Sequence, residues 1–246
     1  MSEPGDAELS RAQESPLASV TIQLFARVPV ARQVKTRLIA CLGAAGAAHL
    51  QRVLTERALL AARQFSTELS ALPGDVPADA KFRVHRELWL AGDLRHVWVA
   101  RQRATDPALS VHKQPQGDLG LRMHVALAHA CATGYGILVG TDCPGVDAAY
   151  LRAAVLALAG GVDVVLGPVE DGGYVLIGLR KRCAALFTAM TWSTDSVFQT
   201  TLARAQRMNL SVALLPMLWD VDRPEDVDRL RQLGDTALDA VLGLRS

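Results

Sequence analysis

The sequence predicts an α/β fold: a single domain with a mixed, mainly parallel sheet covered by helices on both faces. Two observations carry this expectation. Short apolar runs rich in β-formers alternate with longer Ala/Leu-rich or amphipathic segments along most of the chain, the order that builds βαβ units. Half of the 246 residues are hydrophobic, enough for one continuous core in a chain of this length.

The elements follow in order. Residues 20–26 (VTIQLFA) form the first strand, a proline-containing basic loop follows, and residues 34–69 are helical. Gly43 and Gly46 are expected to split that helix in two, because an interior glycine costs about 1 kcal/mol relative to alanine. Residues 83–90 give a strand, 93–103 a short helix and 109–113 a third strand. In 118–132, Leu119, Met123, Leu127 and Ala130 recur at three- and four-residue steps, the signature of a helix with one buried face. Residues 137–139 are a buried strand ending in GTD, 148–158 a helix, and 162–166 and 173–179 strands flanking a DGG turn. The closeness of that last pair predicts one antiparallel insertion. A helix over 195–207, a strand over 211–215 and a helix over 224–233, opened by proline and acids, complete the set.

Residues 1–19 have neither a basic start nor an apolar core, so they are expected to be a flexible lead-in to a domain spanning 20–246. Lys and Arg total 26 against 25 Asp and Glu, a balance that gives no field for nucleic acid or an anionic membrane. No run approaches the roughly 18 consecutive apolar residues of a membrane span. The four cysteines lack CxxC spacing, so a reducing, cytoplasmic setting with no disulfides and no zinc is expected.

Chemistry concentrates in loops that follow strands, where open α/β sheets bind ligands. The first loop carries Arg27, Arg32, Lys35 and Arg37 at a strand-to-helix switch, a place suited to gripping phosphate. It matches neither the dinucleotide fingerprint nor the Walker motif. In residues 116–123 (QGDLGLRM), Gly117 and Gly120 admit a ligand to the backbone and Arg122 faces a phosphate or base; a simple helix cap by Asp118 is the alternative. Asp142, in GTDCPG, ends an apolar strand, where an ionised acid needs a cation; a turn shaped by Pro144 and Gly145, with Asp142 capping the following helix, is the alternative. Cys143 beside it is expected to pack rather than attack. In residues 167–179 (GPVEDGGYVLIGL), Gly172 and Gly173 permit a tight turn and Asp171 can act as a base or clamp the acceptor. Trp192, in TWSTDSV, either stacks on a sugar or fills the core. Asp220 and Asp222 alternate faces if their segment is extended, so only one of them readily meets a metal. The six histidines show no metal-ligand spacing, and His124 and His129 are expected on a helix surface.

Taken in order, FARVPVARQVKTRL, QGDLGLRM, GTDCPG, GPVEDGGYVLIGL, WSTDSV and DVDRPED resemble a bacterial family of glycosyltransferase-A-fold proteins, described as glycosyltransferases and in part linked to arsenosugar biosynthesis. The likeness spans about residues 20–235. It implies a Rossmann-like αβα sandwich of the nucleotide-diphospho-sugar transferase type, nucleotide over its amino-terminal half, and Mg or Mn at the strand-end acid. A more distant similarity to cytidylyl- and molybdopterin-type nucleotidyltransferases implies Asp142 as metal ligand with Asp222, preferred over Asp220, as its partner. Where the family has Lys-Ala-Pro and Pro-Gly in the first loop, this chain reads Arg27-Val28-Pro29 and Ala31-Arg32.

The expected nucleotide contacts are Arg27, Lys35, Arg37, Gly117, Asp118, Arg122, Thr141, Gly172, Gly173 and Trp192, and the expected catalytic set is Asp171, Lys35 and Arg37. The leading expectation is metal-dependent sugar transfer from a nucleotide-diphosphate sugar to a small acceptor. The alternatives are a nucleotidyltransferase that couples a nucleoside triphosphate to a phosphorylated small molecule, and a nucleotide-binding protein without turnover. The oligomeric state stays open, a homodimer included.

Overall fold

In the computed structural model, which describes residues 18–71, 82–235 and 238, the strands are Ala18–Arg27 (β1), Phe82–Ala91 (β2), Leu109–Lys113 (β3), Tyr135–Gly140 (β4), Val164–Pro168 (β5), Tyr174–Leu179 (β6) and Val212–Leu214 (β7). They form one seven-stranded sheet in the order β3-β2-β1-β4-β6-β5-β7. Every neighbouring pair is parallel except the two made by β6, which runs against β4 and β5. The predicted antiparallel insertion is therefore β6, reached from β5 by the DGG turn.

The helices are Ile39–Ala71 (α1), Val97–Thr105 (α2), Leu119–Ala130 (α3), Ala148–Ala159 (α4), Val197–Arg207 (α5) and Pro224–Arg231 (α6). Alternation along the strands divides the core between them. Val20, Ile22 and Leu24 of β1 meet Ala58, Ala62 and Phe65 of α1, Trp98 and Val99 of α2, and Leu151 and Val155 of α4. Phe25, Trp89, Leu138 and Ile177 face the other way, toward Met123, Ala126 and Leu127 of α3 and Ala205 of α5. The result is the expected αβα sandwich, a single α/β domain. A third cluster joins α6, through Val227 and Leu230, to Leu50 and Leu54 of α1.

Several boundaries move from those expected. β1 begins at Ala18, so residues 18 and 19 belong to the strand, whereas 1–17 lie outside the described residues. Gly43 breaks the long helix, with φ 68° and ψ 166°, but Gly46 stays inside it. The reason is positional, since one left-handed residue already turns the chain between a 3-10 turn at Thr36–Leu38 and the helix proper. The second helix starts at Val97 rather than at 93: the Asp93 carboxylate is taken by Arg95, and His96 Nδ1 accepts from Trp98 N at 3.2 Å as the cap. By length and composition alone the stretch Thr36–Glu68 could cross a bilayer, although charged residues interrupt its apolar run. Its Leu50, Leu54, Ala58, Ala62 and Phe65 are buried while Arg63 and Glu68 are exposed, the disposition of a core helix.

Candidate functional site

At the carboxyl ends of β4, β5 and β7 three loops converge. Val221 N donates to the Asp142 carbonyl at 3.0 Å, which lays the chain before α6 alongside the GTDCPG loop. Lys35 completes the junction from the first loop. Its Nζ lies 2.6 Å from Asp142 Oδ1 and 2.7 Å from the Val221 carbonyl, and its side chain is 3% exposed against 51% for Asp142. One buried ammonium thus ties three segments that are far apart in sequence. Arg37 forms an exposed ion pair with Asp222.

Asp220 is the acid that the rim treats most harshly. Burial, followed by the charges of Asp171, Asp142 and Asp222, raises its carboxyl to about 6 from an ordinary aspartate value of 3.8. Asp220 and Asp171 also stand within electrostatic reach of Cys143, together with Asp142. Burial and those acids push the Cys143 thiol far up, so it stays a buried, protonated packing group. The rim gathers Asp142, Asp171, Asp220 and Asp222 against Lys35 and Arg37: four carboxylates and two cations, a formal excess of two negative charges. Among the described residues no three of these carboxylates bring donor oxygens within 4.8 Å of one another, so the rim is a negatively charged recess; all-oxygen donors of this kind suit a hard divalent cation.

The DGG turn is clamped in place. Gly172 has φ 87°, and a Cβ there would stand 2.0 Å from the Asp195 carbonyl oxygen, so only glycine fits. Phe198 N donates to the Gly172 carbonyl at 2.9 Å, and Asp171 Oδ1 accepts from Gly173 N at 2.8 Å. Asp171 therefore sits exposed on a turn fixed from behind by the start of α5.

The QGDLGLRM segment forms a second rim beyond β1 and β2. Gln114 Nε2 donates to the carbonyls of Ala26 and Trp89, at 3.2 and 3.0 Å, and its Oε1 accepts from Arg122 at 3.1 Å. Asp118 caps α3, accepting from Leu121 N at 2.8 Å. Gly117 has φ 120° and opens the turn into that cap. Gly120 serves packing instead of ligand access, since a Cβ there would meet Trp192 Cζ2 at 2.6 Å. Trp192 packs against the α3-side core. Thr141 is buried, its hydroxyl donating to the Phe25 carbonyl at 3.4 Å and lying near Gln51 and Thr55 of α1. Arg27 and Arg32 are exposed, with no carboxylate partner among the described residues. Arg32 has φ 67°, so it holds the left-handed conformation at the place where a glycine was missed in the first loop.

Of the expected residues, Lys35, Arg37, Asp142, Asp171 and Asp222 meet at the acidic rim, Gly117, Asp118 and Arg122 at the second, and Thr141 and Trp192 turn inward. Alternation along an extended segment allows only one of Asp220 and Asp222 at the site, and the resemblance prefers Asp222 over Asp220. Residues 219–222 form no regular strand, so alternation does not govern which way they point.

Residues 77–194 match the profile of a family described as an uncharacterized protein conserved in bacteria (DUF2064). No curated protein matches the sequence. Among solved structures, a protein designated a candidate nucleotide-diphospho-sugar transferase from Desulfovibrio desulfuricans G20 is 27% identical, with a TM-score of 0.74 over 93% of this chain and 98% of its own. The 4-diphosphocytidyl-2C-methyl-D-erythritol synthase of Anaerococcus prevotii DSM 20548 is 9% identical, with a TM-score of 0.51 over 89% and 97% of the two chains. A CMP:2-keto-3-deoxy-manno-octonic acid synthetase complexed with CTP is 12% identical, with a TM-score of 0.50 over 88% and 98%. The fold is thus similar to that of a candidate nucleotide-diphospho-sugar transferase, and residues 77–194 carry the match to the DUF2064 profile.

Proposed function

We propose that the protein is a metal-dependent glycosyltransferase that moves a sugar from a nucleotide-diphosphate sugar to a small acceptor. The observation that carries the proposal is the gathering of four acids at the strand ends, with Lys35 on Asp142, Arg37 on Asp222, and Asp171 and Asp220 within their electrostatic reach, in the fold of a candidate nucleotide-diphospho-sugar transferase. The nucleotide lies over β1 and β2, where Arg122, positioned by Gln114, and the exposed Arg27 supply donors. A Mg or Mn ion held by Asp142, Asp220 and Asp222 would supply the charge that stabilises the departing diphosphate.

Lys35 works from below. Nearly closed to solvent, its ammonium fixes the Asp142 carboxylate and the Val221 carbonyl instead of reaching a phosphate. Arg37 is exposed and can exchange Asp222 for a phosphate oxygen, gripping it through its guanidinium. Asp171, held by the clamped turn, orients or deprotonates the acceptor hydroxyl.

Nucleotidyl transfer from a triphosphate is the second reading, supported by the fold shared with a synthetase that binds CTP. One experiment separates them. The protein is incubated with Mn and a panel of UDP- and GDP-sugars and nucleoside triphosphates, and released nucleoside diphosphate and pyrophosphate are measured. Sugar-dependent diphosphate release is expected, and pyrophosphate from a triphosphate alone would replace the first reading by the second. Asp142→Asn keeps an oxygen facing Lys35, whereas Asp142→Ala would strand a buried ammonium. The Asn variant is expected to stay folded and lose about 100-fold or more in kcat/KM; unchanged turnover would remove Asp142 from the mechanism.

A further inference from the structure

On the opposite face of the sheet, near its β3 edge, lies a second group of metal-ligating side chains. Glu87 of β2, His112 of β3 and His129 in the last turn of α3 bring one donor atom each to within 4.8 Å of one another. His129 Nε2 stands 3.2 Å and His112 Nε2 3.8 Å from the same oxygen, Glu87 Oε1. Donor atoms about 2.0–2.1 Å from a tetrahedral zinc ion stand roughly 3.4 Å apart, so these separations need only a small closure.

The surroundings orient the carboxylate. Glu87 Oε2 accepts from Gln23 Nε2 at 2.9 Å and from Trp89 Nε1 at 2.7 Å, and Gln23 is itself fixed by the Ala126 carbonyl at 2.7 Å. Both donors are neutral and both take the same oxygen, which leaves Oε1 turned toward the imidazoles. The Glu87 side chain is only 9% exposed, and no lysine or arginine pairs with it among the described residues. A buried carboxylate without a cation is costly. His112 is stacked on Trp89, with centroids 4.8 Å apart, and its buried Nε2 has no hydrogen-bond partner. Such a carboxylate, held by fixed donors beside two imidazole nitrogens, has the supporting shell of a metal ligand set.

We propose that Glu87, His112 and His129 form a second divalent-metal site of the zinc, cobalt or nickel class, separate from the aspartate rim. Its two imidazoles and one carboxylate favour a softer ion than the all-oxygen rim does. Three protein ligands leave one position for water or another ligand atom. The site lies under α3, while Lys35 and Asp142 adjoin α1 across the sheet. The expectation of no zinc rested on cysteine spacing, and no linear histidine motif marks a ligand set drawn from β2, β3 and α3.

The test is titration of the metal-free protein with Co2+ in excess Mg2+, added to fill any hard-cation site at the aspartate rim, while visible ligand-field absorption is followed. One Co2+ is expected, with the intense bands of a four- or five-coordinate nitrogen-containing site, displaceable by Zn2+. His129 is 58% exposed, so His129→Ala should keep the fold and lower Co2+ affinity by at least about tenfold; Glu87→Gln and His112→Ala should abolish the bands. Absence of such bands in the wild type, affinity unchanged in His129→Ala, or bands that vanish only in Asp142→Asn would overturn the proposal.

Discussion

At the scale of single residues, the acidic rim is a store of unfavourable charge. Asp220 takes up a proton more readily folded than unfolded, because its carboxyl is raised to about 6 from 3.8. The folded state therefore holds the extra proton between those values, and this contribution to stability is complete below about pH 3.8 and lost as the pH climbs through 6. Asp220→Asn is expected to raise the melting temperature at pH 7 and to change it little at pH 4; equal shifts at both would mean that the carboxylate is not under strain. That Asp142 meets a cation was legible, because an acid closing an apolar strand asks for one, and the cation on it is Lys35. The burial of Lys35 was not, since a partner 107 residues away determines it. Asp220 gives way to Asp222 on the resemblance and on the alternation of an extended segment, but it lies outside the regular strands, where alternation carries no information.

At the scale of elements, the strands were the most readable part. β1, β4 and β6 are apolar runs bounded by turn residues, and the DGG turn announced the one reversed strand. Helix starts were harder, as at α2, because capping depends on which polar side chain is already engaged. The first loop shows the same dependence. Arg32 adopts φ 67°, a conformation that costs a residue with a Cβ roughly 1–2 kcal/mol and glycine almost nothing. Arg32→Gly should relieve that strain at the expense of a more flexible unfolded chain, leaving urea-measured stability within about 1 kcal/mol of wild type. Nucleotide affinity should still fall if the guanidinium serves the phosphates, and unchanged affinity would assign Arg32 to the surface alone.

At the scale of the molecule, nearly balanced charge means that no long-range field organises the protein. Electrostatics acts through individual contacts, and the two that close the rim differ in their access to water. Lys35 is shut away beneath Asp142, whereas Arg37 meets Asp222 in the open. Dissolved electrolyte will tell them apart, because at about 1 M the screening length shrinks to roughly 3 Å for exposed charges but scarcely reaches a sequestered one. The stability lost on Arg37→Ala should fade as sodium chloride is raised, while that lost on Lys35→Met should persist, both followed by urea unfolding. Brine would thus unlatch the outer half of the rim and leave its inner half fastened.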